Sequence, residues 1–158
     1  MWTSVAILTL DARETFHERI SARYKLPSEL TKPRPESRVR DWVDAQDNAS
    51  LYLSVVSVGE LRRGFTVLRQ SKRRAQLEQW FEQYLLPLFG GRILPVTQSV
   101  GNRWGILSGE RQLRGTPLNT ADGMIAATAM EHDLTIVTRN AKDFAGLGAV
   151  LLNPWDTL

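Results

Sequence analysis

Three carboxylates stand where the predicted elements of this chain would let them act together. Glu60 lies in the first turn of a predicted helix, Asp122 lies early in another, and Asp143 follows the apolar run "LTIVT". In open parallel sheets ligands bind outside the carboxyl ends of the strands, so Asp122 joins the other two if its helix starts at that edge. Carboxylates brought together repel each other unless a divalent cation neutralises them, and oxygen ligands suit Mg²⁺ or Mn²⁺. Such a cation lowers the pKa of bound water, which suits phosphodiester hydrolysis.

Each acid also has an ordinary structural role open to it. Ser57 and Glu60 stand in the S-x-x-E spacing of a capping box. Asp122 complements the dipole of a helix that Thr120 is predicted to cap. Asp143 is placed to cap a short helix that begins directly after it. Spacing by itself therefore leaves both the metal site and these structural roles open.

Strands and helices alternate along the chain, which predicts an α/β domain with a central, mainly parallel sheet. The predicted strands are Leu51–Val56, "RILPVT", "LTIVT" and "AVLLN". Helices are predicted after the turn at Pro33 and Pro35, from Ser57 to about Gln70, after the cap Ser71, from about Gln98 to Leu113, and after Thr120. The helix after Ser71 carries an apolar stripe that predicts core or dimer surface rather than a platform for stacked bases: Leu77, Trp80, Phe81, Tyr84 and Leu85.

The composition excludes several kinds of site. A chain of 158 residues and 17.9 kDa suits one domain. The absence of cysteine excludes disulfides and thiolate metal sites, and two histidines are too few for a histidine-rich one. No apolar run is long enough to cross a membrane, and "MWTSVAILTLDARE" lacks the basic start of a signal peptide. We therefore expect a cytoplasmic protein whose metal, if it has one, is held by carboxylates.

Basic residues outnumber acidic ones, and the net charge of +3 with a pI of about 9.6 permits a nucleic-acid partner. Such groups are usually solvated faces, and they indicate nucleic-acid binding if they flank the carboxylates. A DNA-binding module with no role for the acids would bind without metal and with strong salt dependence. The two basic groups are Arg62, Arg63, Arg69, Lys72, Arg73 and Arg74 at a helix junction, and Arg103, Arg111 and Arg114 on a later helix.

Four segments together resemble the PIN-domain ribonucleases, and within them the VapC and FitB toxins of toxin–antitoxin modules. They are "SELTKPRPESRVRDWVDAQ", "LYLSVVSVGELRRG", "NTADGMIAATAMEHDLTIVTRNAKDF" and "GLGAVLLNPW". The resemblance implies a PIN domain over residues 28–158, folded as an α/β/α sandwich, after an atypical segment 1–27. It implies an endoribonuclease that uses Mg²⁺ or Mn²⁺ to hydrolyse RNA. It also implies a homodimer and a cognate antitoxin that enters the active-site groove, with operator DNA bound through that antitoxin.

The resemblance assigns site roles residue by residue. Glu60 matches the second acid of the family, Asp122 the third and Asp143 a further one, so all three are implied as metal ligands and catalytic residues. Thr138 matches a threonine that lines the site. Asn140 stands near a position that is often Asp in the family. Either Asn140 or Asp143 therefore fills the fourth position.

The chain departs from the family at its start. PIN toxins open with a buried strand that ends in Asp-Thr-Asn directly before a segment like "SEL", and that Asp is the first metal ligand. The aligned positions here are Arg23, Tyr24 and Lys25. Neither a guanidinium nor an ammonium offers a lone pair to a metal. The alternative function is therefore a catalytically impaired relative that still dimerises and binds an antitoxin.

A shift of reading frame accounts for this departure. The codons GAY-ACN-AAY for Asp-Thr-Asn, read one frame away, permit Arg-Tyr-Lys, and two preceding leucine codons permit Ser21-Ala22. Codons for His17-Glu18 contain ATG in that shifted frame. We therefore expect residues 1 to about 26 to come from the wrong frame. A rival hypothesis keeps the frame and lets the strand-like "SVAILTLD" supply the missing acid through Asp11.

Overall fold

The computed structural model describes residues 7–9, 37, 41, 42, 45 and 48–155. Within them, strands and helices alternate as the sequence predicts. The strands are β1 (Ile7–Thr9), β2 (Leu51–Ser54), β3 (Ile93–Leu94), β4 (Thr135–Val137) and β5 (Leu151–Leu152). The helices are α1 (Val55–Thr66), α2 (Lys72–Trp80), α3 (Leu86–Leu88), α4 (Gln98–Leu113), α5 (Thr120–Glu131) and α6 (Ala141–Phe144), with a 3-10 turn (Asn48–Ser50) before β2 and a π-helical segment (Phe81–Leu85) between α2 and α3.

The five strands form one sheet in the order β3-β2-β1-β4-β5. β2 is parallel to β3, and β4 is parallel to β5. β1 lies between these two pairs and is antiparallel to both β2 and β4. Four of the five strands therefore point the same way, which confirms a mainly parallel sheet. The strand at its centre is the exception, and it comes from the atypical first segment of the chain.

Helices cover both faces of this sheet. Side chains alternate between faces along a strand, and neighbouring strand residues accordingly belong to two different clusters of buried residues. The α1-face core consists of Leu51, Leu53, Leu61, Phe65, Leu77, Phe81, Leu85, Phe89 and Val137. The α5-face core consists of Leu8, Ile125, Ala126, Ala129, Leu134, Ile136, Phe144 and Leu147. The predicted α/β/α sandwich is thereby confirmed.

Two of the predicted helix starts are wrong. The helix after β2 begins at Val55, and Ser54 caps it by accepting a hydrogen bond from the Val56 amide at 3.2 Å. Ser57 is buried inside that helix, so the predicted capping box does not form. The helix begins directly after β2, so the strand ends at Ser54 and not at Val56 as predicted. The helix start on the opposite face is displaced in the same direction by one residue, because Asn119 and not Thr120 is the cap.

The helical hairpin after α1 agrees with its prediction. Ser71 caps α2 by accepting from the Arg74 amide at 3.2 Å. Helical structure then continues through the π-helical segment to Leu88. Three members of the predicted stripe are buried, and the other two, both aromatic, are partly buried. The stripe therefore serves as core, with the ring of Phe81 edge-on to that of Phe65 at 5.5 Å between centroids.

Candidate active site

The acids at 60 and 122 lie on two helices that contact each other across one end of the sheet. α1 begins directly after the carboxyl end of β2. α5 leads through a short turn into the amino end of β4, so its own first turn lies toward the carboxyl end of β4. β2 and β4 point the same way. The condition set for Asp122 is therefore met, because its helix starts at the edge where α1 also starts.

Asp122 is the most enclosed of the predicted site residues, with 5% of its surface exposed. It lies in the first turn of α5, where the helix dipole favours a negative charge. The Oδ1 atom of Asn119 accepts from the Ala121 amide at 2.9 Å and from the Asp122 amide at 3.3 Å, which fixes this turn. The Oδ1 atom of Asp122 is buried and accepts no hydrogen bond, although the residue has an interaction elsewhere. A carboxylate oxygen in that setting suits a cation.

Glu60 lies in the second turn of α1 rather than in the first turn predicted for it. Its side chain is 26% exposed and lies 3.5 Å from Nη1 of Arg63, whose own side chain is 75% exposed. An exposed pair one helical turn apart contributes little to stability. Glu60 is thus a half-buried acid whose ion pair with Arg63 is weak enough for a ligand to replace.

The third group of predicted residues lies in the segment after β4. Thr138 is buried at the end of the strand, and its Oγ1 accepts from the Asn140 amide at 3.2 Å. Asn140 is the N-cap residue of α6. Asp143 lies one turn further on and is exposed, and its amide donates to the Asn140 carbonyl at 3.0 Å. Asp143 therefore does not cap a helix after it, and the choice between Asn140 and Asp143 for the fourth position stays a prediction.

The described residues supply only part of a metal site. No three of their Asp, Glu or His side chains lie close enough together to hold an ion. The buried Asp122 and the half-buried Glu60 have the right donor chemistry, but they do not form a closed set with Asp143. Arg23, at the position of the first family acid, and Asp11, its proposed substitute, both lie outside the described residues. The strand β1 ends at Thr9, which pairs with Leu51 and Thr135 at the amino ends of β2 and β4.

Sequence reasoning missed one contact that borders the buried acid. A Cβ atom on Gly123 would lie 2.7 Å from Cδ2 of Leu118 and 2.8 Å from Cδ1 of Trp104. Only a residue without a side chain lets α5 approach α4 this closely beside Asp122. A glycine in the first turn of an otherwise alanine-rich helix was the available signal.

Comparisons with known proteins identify the family to which this chain belongs. The profile of the family described as PIN domain matches residues 27–149. This chain belongs to the PIN-domain family. The match leaves out residues 1–26, and the origin of that segment stays a prediction.

Relatives extend the similarity over most of the PIN domain. Toxin FitB of Neisseria gonorrhoeae is 38% identical over 128 residues, which span 81% of this chain and 92% of that protein. VapC ribonuclease Y4jK of Sinorhizobium fredii is 36% identical over 129 residues, which span 82% and 92%. The crystal structure of FitAcB from Neisseria gonorrhoeae superposes with a TM-score of 0.76 over 82% of this chain. The chain is therefore a PIN domain of the VapC and FitB toxin type.

One further property concerns membranes. Along the part of the chain that the structure describes, every helix is too short or too polar to cross a bilayer.

Proposed function

We propose that this PIN domain is the toxin of a type II toxin–antitoxin module and hydrolyses RNA phosphodiester bonds with Mg²⁺ or Mn²⁺. The observation that supports this most is the buried carboxylate of Asp122 in the first turn of α5, at the edge where α1 carries Glu60. The similarity to Toxin FitB and to a VapC ribonuclease points the same way.

The residues of this chain would share the work as follows. Asp122 and Glu60 would present carboxylate oxygens as ligands, Asp143 or Asn140 would fill the fourth position, and Thr138 would line the site. A bound cation would lower the pKa of its water and neutralise charge on the phosphodiester. Burial of Asp122 keeps bulk water from screening its charge, which strengthens its effect on a cation or a phosphate.

A second candidate function follows from the start of the chain. Arg23 stands at the position of the first acid, and the described residues contain no group of three ligands. A protein in that condition would be a catalytically impaired PIN domain that still dimerises and binds its antitoxin. The two candidate functions depend on whether the N-terminal segment supplies the first acid, so one experiment can compare them.

The test is RNA cleavage, with and without Mg²⁺, by two proteins. One is the chain as it stands, and the other carries Leu-Leu-Asp-Thr-Asn in place of Ser21–Lys25. We expect the second to cleave and to lose at least about a hundredfold of its rate on Asp122→Asn, as when a charged group acting on the transition state is removed. Asp133→Asn, an exposed turn residue, is the control. Cleavage that survives Asp122→Asn would refute the metal mechanism. Cleavage by the second protein but not by the chain as it stands, with antitoxin binding retained by both, would favour the impaired relative.

The frame hypothesis has a separate test. Nucleotide sequencing of the gene should find codons at residues 17–25 that spell ATG and GAY-ACN-AAY one frame away. Codons that cannot spell these would rule the hypothesis out.

The proposed partners can be measured directly. A related protein has been solved in a DNA complex, the structure of FitAB bound to an IR36 DNA fragment. We expect this chain to form a homodimer in the cytoplasm and to bind its antitoxin, and operator DNA only through the antitoxin. Sedimentation of the chain alone, with its antitoxin, and with operator DNA separates these states. DNA binding by the chain alone would contradict the proposal.

A further inference from the structure

Two basic side chains stand at the same edge of the sheet as the acids and have no partner among the residues that the structure describes. Arg139 directly follows Thr138, and Lys142 lies in α6. Both are exposed. Neither side chain makes a hydrogen bond or an ion pair with another residue in the described part of the chain. Their charges are therefore available to something outside the protein.

Within the described part of the chain, most other basic residues are already engaged, which narrows the choice among them. Arg74 holds Glu78 and also donates to the carbonyl groups of Thr66 and Leu68, so it braces the turn between α1 and α2. The remaining engaged arginines are Arg62 with Glu82, Arg63 with Glu60, Arg103 with Glu131, Arg114 with Glu110, and Arg92 and Arg111 with backbone carbonyl groups. The sequence singled out most of these arginines as possible nucleic-acid contacts, but in the structure they bind acidic side chains or backbone carbonyl groups.

The backbone that carries the two free charges is held in place on several sides. The Asn140 amide donates to Oγ1 of Thr138, and Nδ2 of Asn153 donates to the Arg139 carbonyl at 3.4 Å. Nη1 of Arg111 donates to the Ala145 carbonyl at 3.3 Å, just beyond α6. A backbone that is already fixed loses little further conformational entropy on binding, so the entropic cost is confined to ordering the two side chains.

We propose that Arg139 and Lys142 bind backbone phosphates of the RNA on either side of the bond to be cut. This rests on the proposed function, since it takes RNA as the substrate of the acidic edge. The RNA backbone is a polyanion, so its approach to Asp122 and Glu60 is repelled unless cations stand beside them. The exposed Asp143 directly follows Lys142 and is the one acid among residues 138–145. Arginine and lysine are the side chains suited to phosphate.

The chain offers a matched control. Arg69 and Lys72 repeat the same two residue types at the same spacing, and both are exposed and without a hydrogen bond or ion pair in the described part of the chain. They lie beyond the far end of α1, whose 12 residues carry the chain about 18 Å from the edge where the helix starts. A general attraction of RNA to positive charge would involve both pairs equally.

The experiment measures binding of a fluorescein-labelled single-stranded RNA of mixed sequence by anisotropy, in EDTA and at several KCl concentrations. The full chain is compared with Arg139→Gln/Lys142→Gln and with Arg69→Gln/Lys72→Gln. Each phosphate contact contributes about 0.7 to the slope of log K against log salt for single strands. We expect the first variant to lose about 1.4 of that slope and to bind more weakly at low salt. The second variant should keep the slope of the parent chain.

Each other outcome is decisive. If the variant at 139 and 142 keeps the parent slope, or if both variants lose it equally, the inference fails while RNA binding, and with it the proposed function, stands. If the parent chain itself does not bind RNA in EDTA, the inference fails, and the cleavage test with Mg²⁺ decides the proposed function separately. Unchanged thermal unfolding of both variants would show that the comparison is made between folded proteins.

Discussion

The two faces of the sheet are filled by different kinds of side chain. The α1-face core contains three phenylalanines and five leucines, and the partly buried tryptophans Trp42, Trp80 and Trp155 pack against it. The α5-face core contains one phenylalanine, and α5 contributes Ala126 and Ala129 to it. Large side chains keep a helix at a distance and small ones let it approach. α1 therefore stands on a thick apolar layer, whereas α5 lies close to its neighbours.

The two site acids follow this difference. Asp122, on the helix with small side chains, is buried, whereas Glu60 is half-buried beside an exposed arginine. Close packing is what holds a charged group in one place, because any shift of α5 meets a neighbour. We therefore expect the α1 face, with its larger side chains, to contribute more to the stability of the fold, and the α5 face to fix the position of the most enclosed acid. Four substitutions test this division, from the largest expected effect to the smallest.

Phe65→Ala should lower the free energy of unfolding by about 3–5 kcal/mol, as for other phenylalanines removed from a core. Phe65 is fully buried, and its ring meets that of Phe81. Urea unfolding followed by circular dichroism measures the loss. Leu113→Ala is the control, since Leu113 is 90% exposed and its removal should cost less than about 0.5 kcal/mol. A loss below about 1 kcal/mol at Phe65 would mean that the α1 face does not carry the stability assigned to it.

Gly123→Ala should lower the free energy of unfolding by about 1–3 kcal/mol through overpacking, because the new Cβ would meet Leu118 and Trp104. The matched control lies on the other face. Gly59 is exposed in α1 with no atom within 4 Å of its Cβ position, so Gly59→Ala should stabilise the protein by about 0.5–1 kcal/mol. The same urea experiment measures both. If both substitutions changed the free energy of unfolding in the same direction, α1 and α5 would not differ in how closely they pack at these glycines.

Asn119→Ala should lower the free energy of unfolding by about 1 kcal/mol, because Oδ1 of Asn119 satisfies two amides in the first turn of α5. Thr120→Ala should have an effect below about 0.5 kcal/mol, since Thr120 is exposed and does not cap the helix. Thermal unfolding of the two variants compares them. A larger loss of stability for Thr120→Ala than for Asn119→Ala would mean that Thr120 caps the helix, as the sequence predicts.

How far the sequence predicts this molecule depends on how local the signal is. The alternation of strands and helices, the stripe at Leu77, Phe81 and Leu85, and the cap at Ser71 are local patterns, and the structure confirms them. The predicted starts of the helices that begin at Val55 and Thr120 are wrong by one or two residues. Neighbouring polar residues compete for the cap, and the tertiary structure selects one.

The rest could not be predicted because it depends on contacts distant in sequence. The antiparallel β1 at the centre of the sheet pairs residues about 45 and 130 positions apart, and no local pattern sets its direction. The tight contact of Gly123 with Trp104 is of the same kind. The candidate acids were found through their spacing and the family resemblance, and their burial and partners came from the fold.

The smallest effect is expected at the end of α5 furthest from Asp122. Nε of Arg103 donates to Oε2 of Glu131 at 3.0 Å, and this hydrogen bond, followed by one from Ser99, lowers the pKa of Glu131 from its usual range. A lowered pKa in the folded state means that the pair contributes stability above the pKa of the unfolded chain and loses it as the pH falls through the folded value. An exposed pair contributes little.

Arg103→Gln should therefore raise the pKa of Glu131 toward its usual range, and it should narrow the difference in unfolding temperature between neutral and acidic pH. Titration of the Glu131 carboxyl by NMR measures the first effect, and thermal unfolding across the acid range measures the second. Arg114→Gln, which breaks the exposed pair with Glu110 on α4, should leave the pKa of Glu131 where it is. A large loss of stability on Arg103→Gln would place a main support of the fold at the contact between α4 and α5, against the assignment of that role to the α1 face.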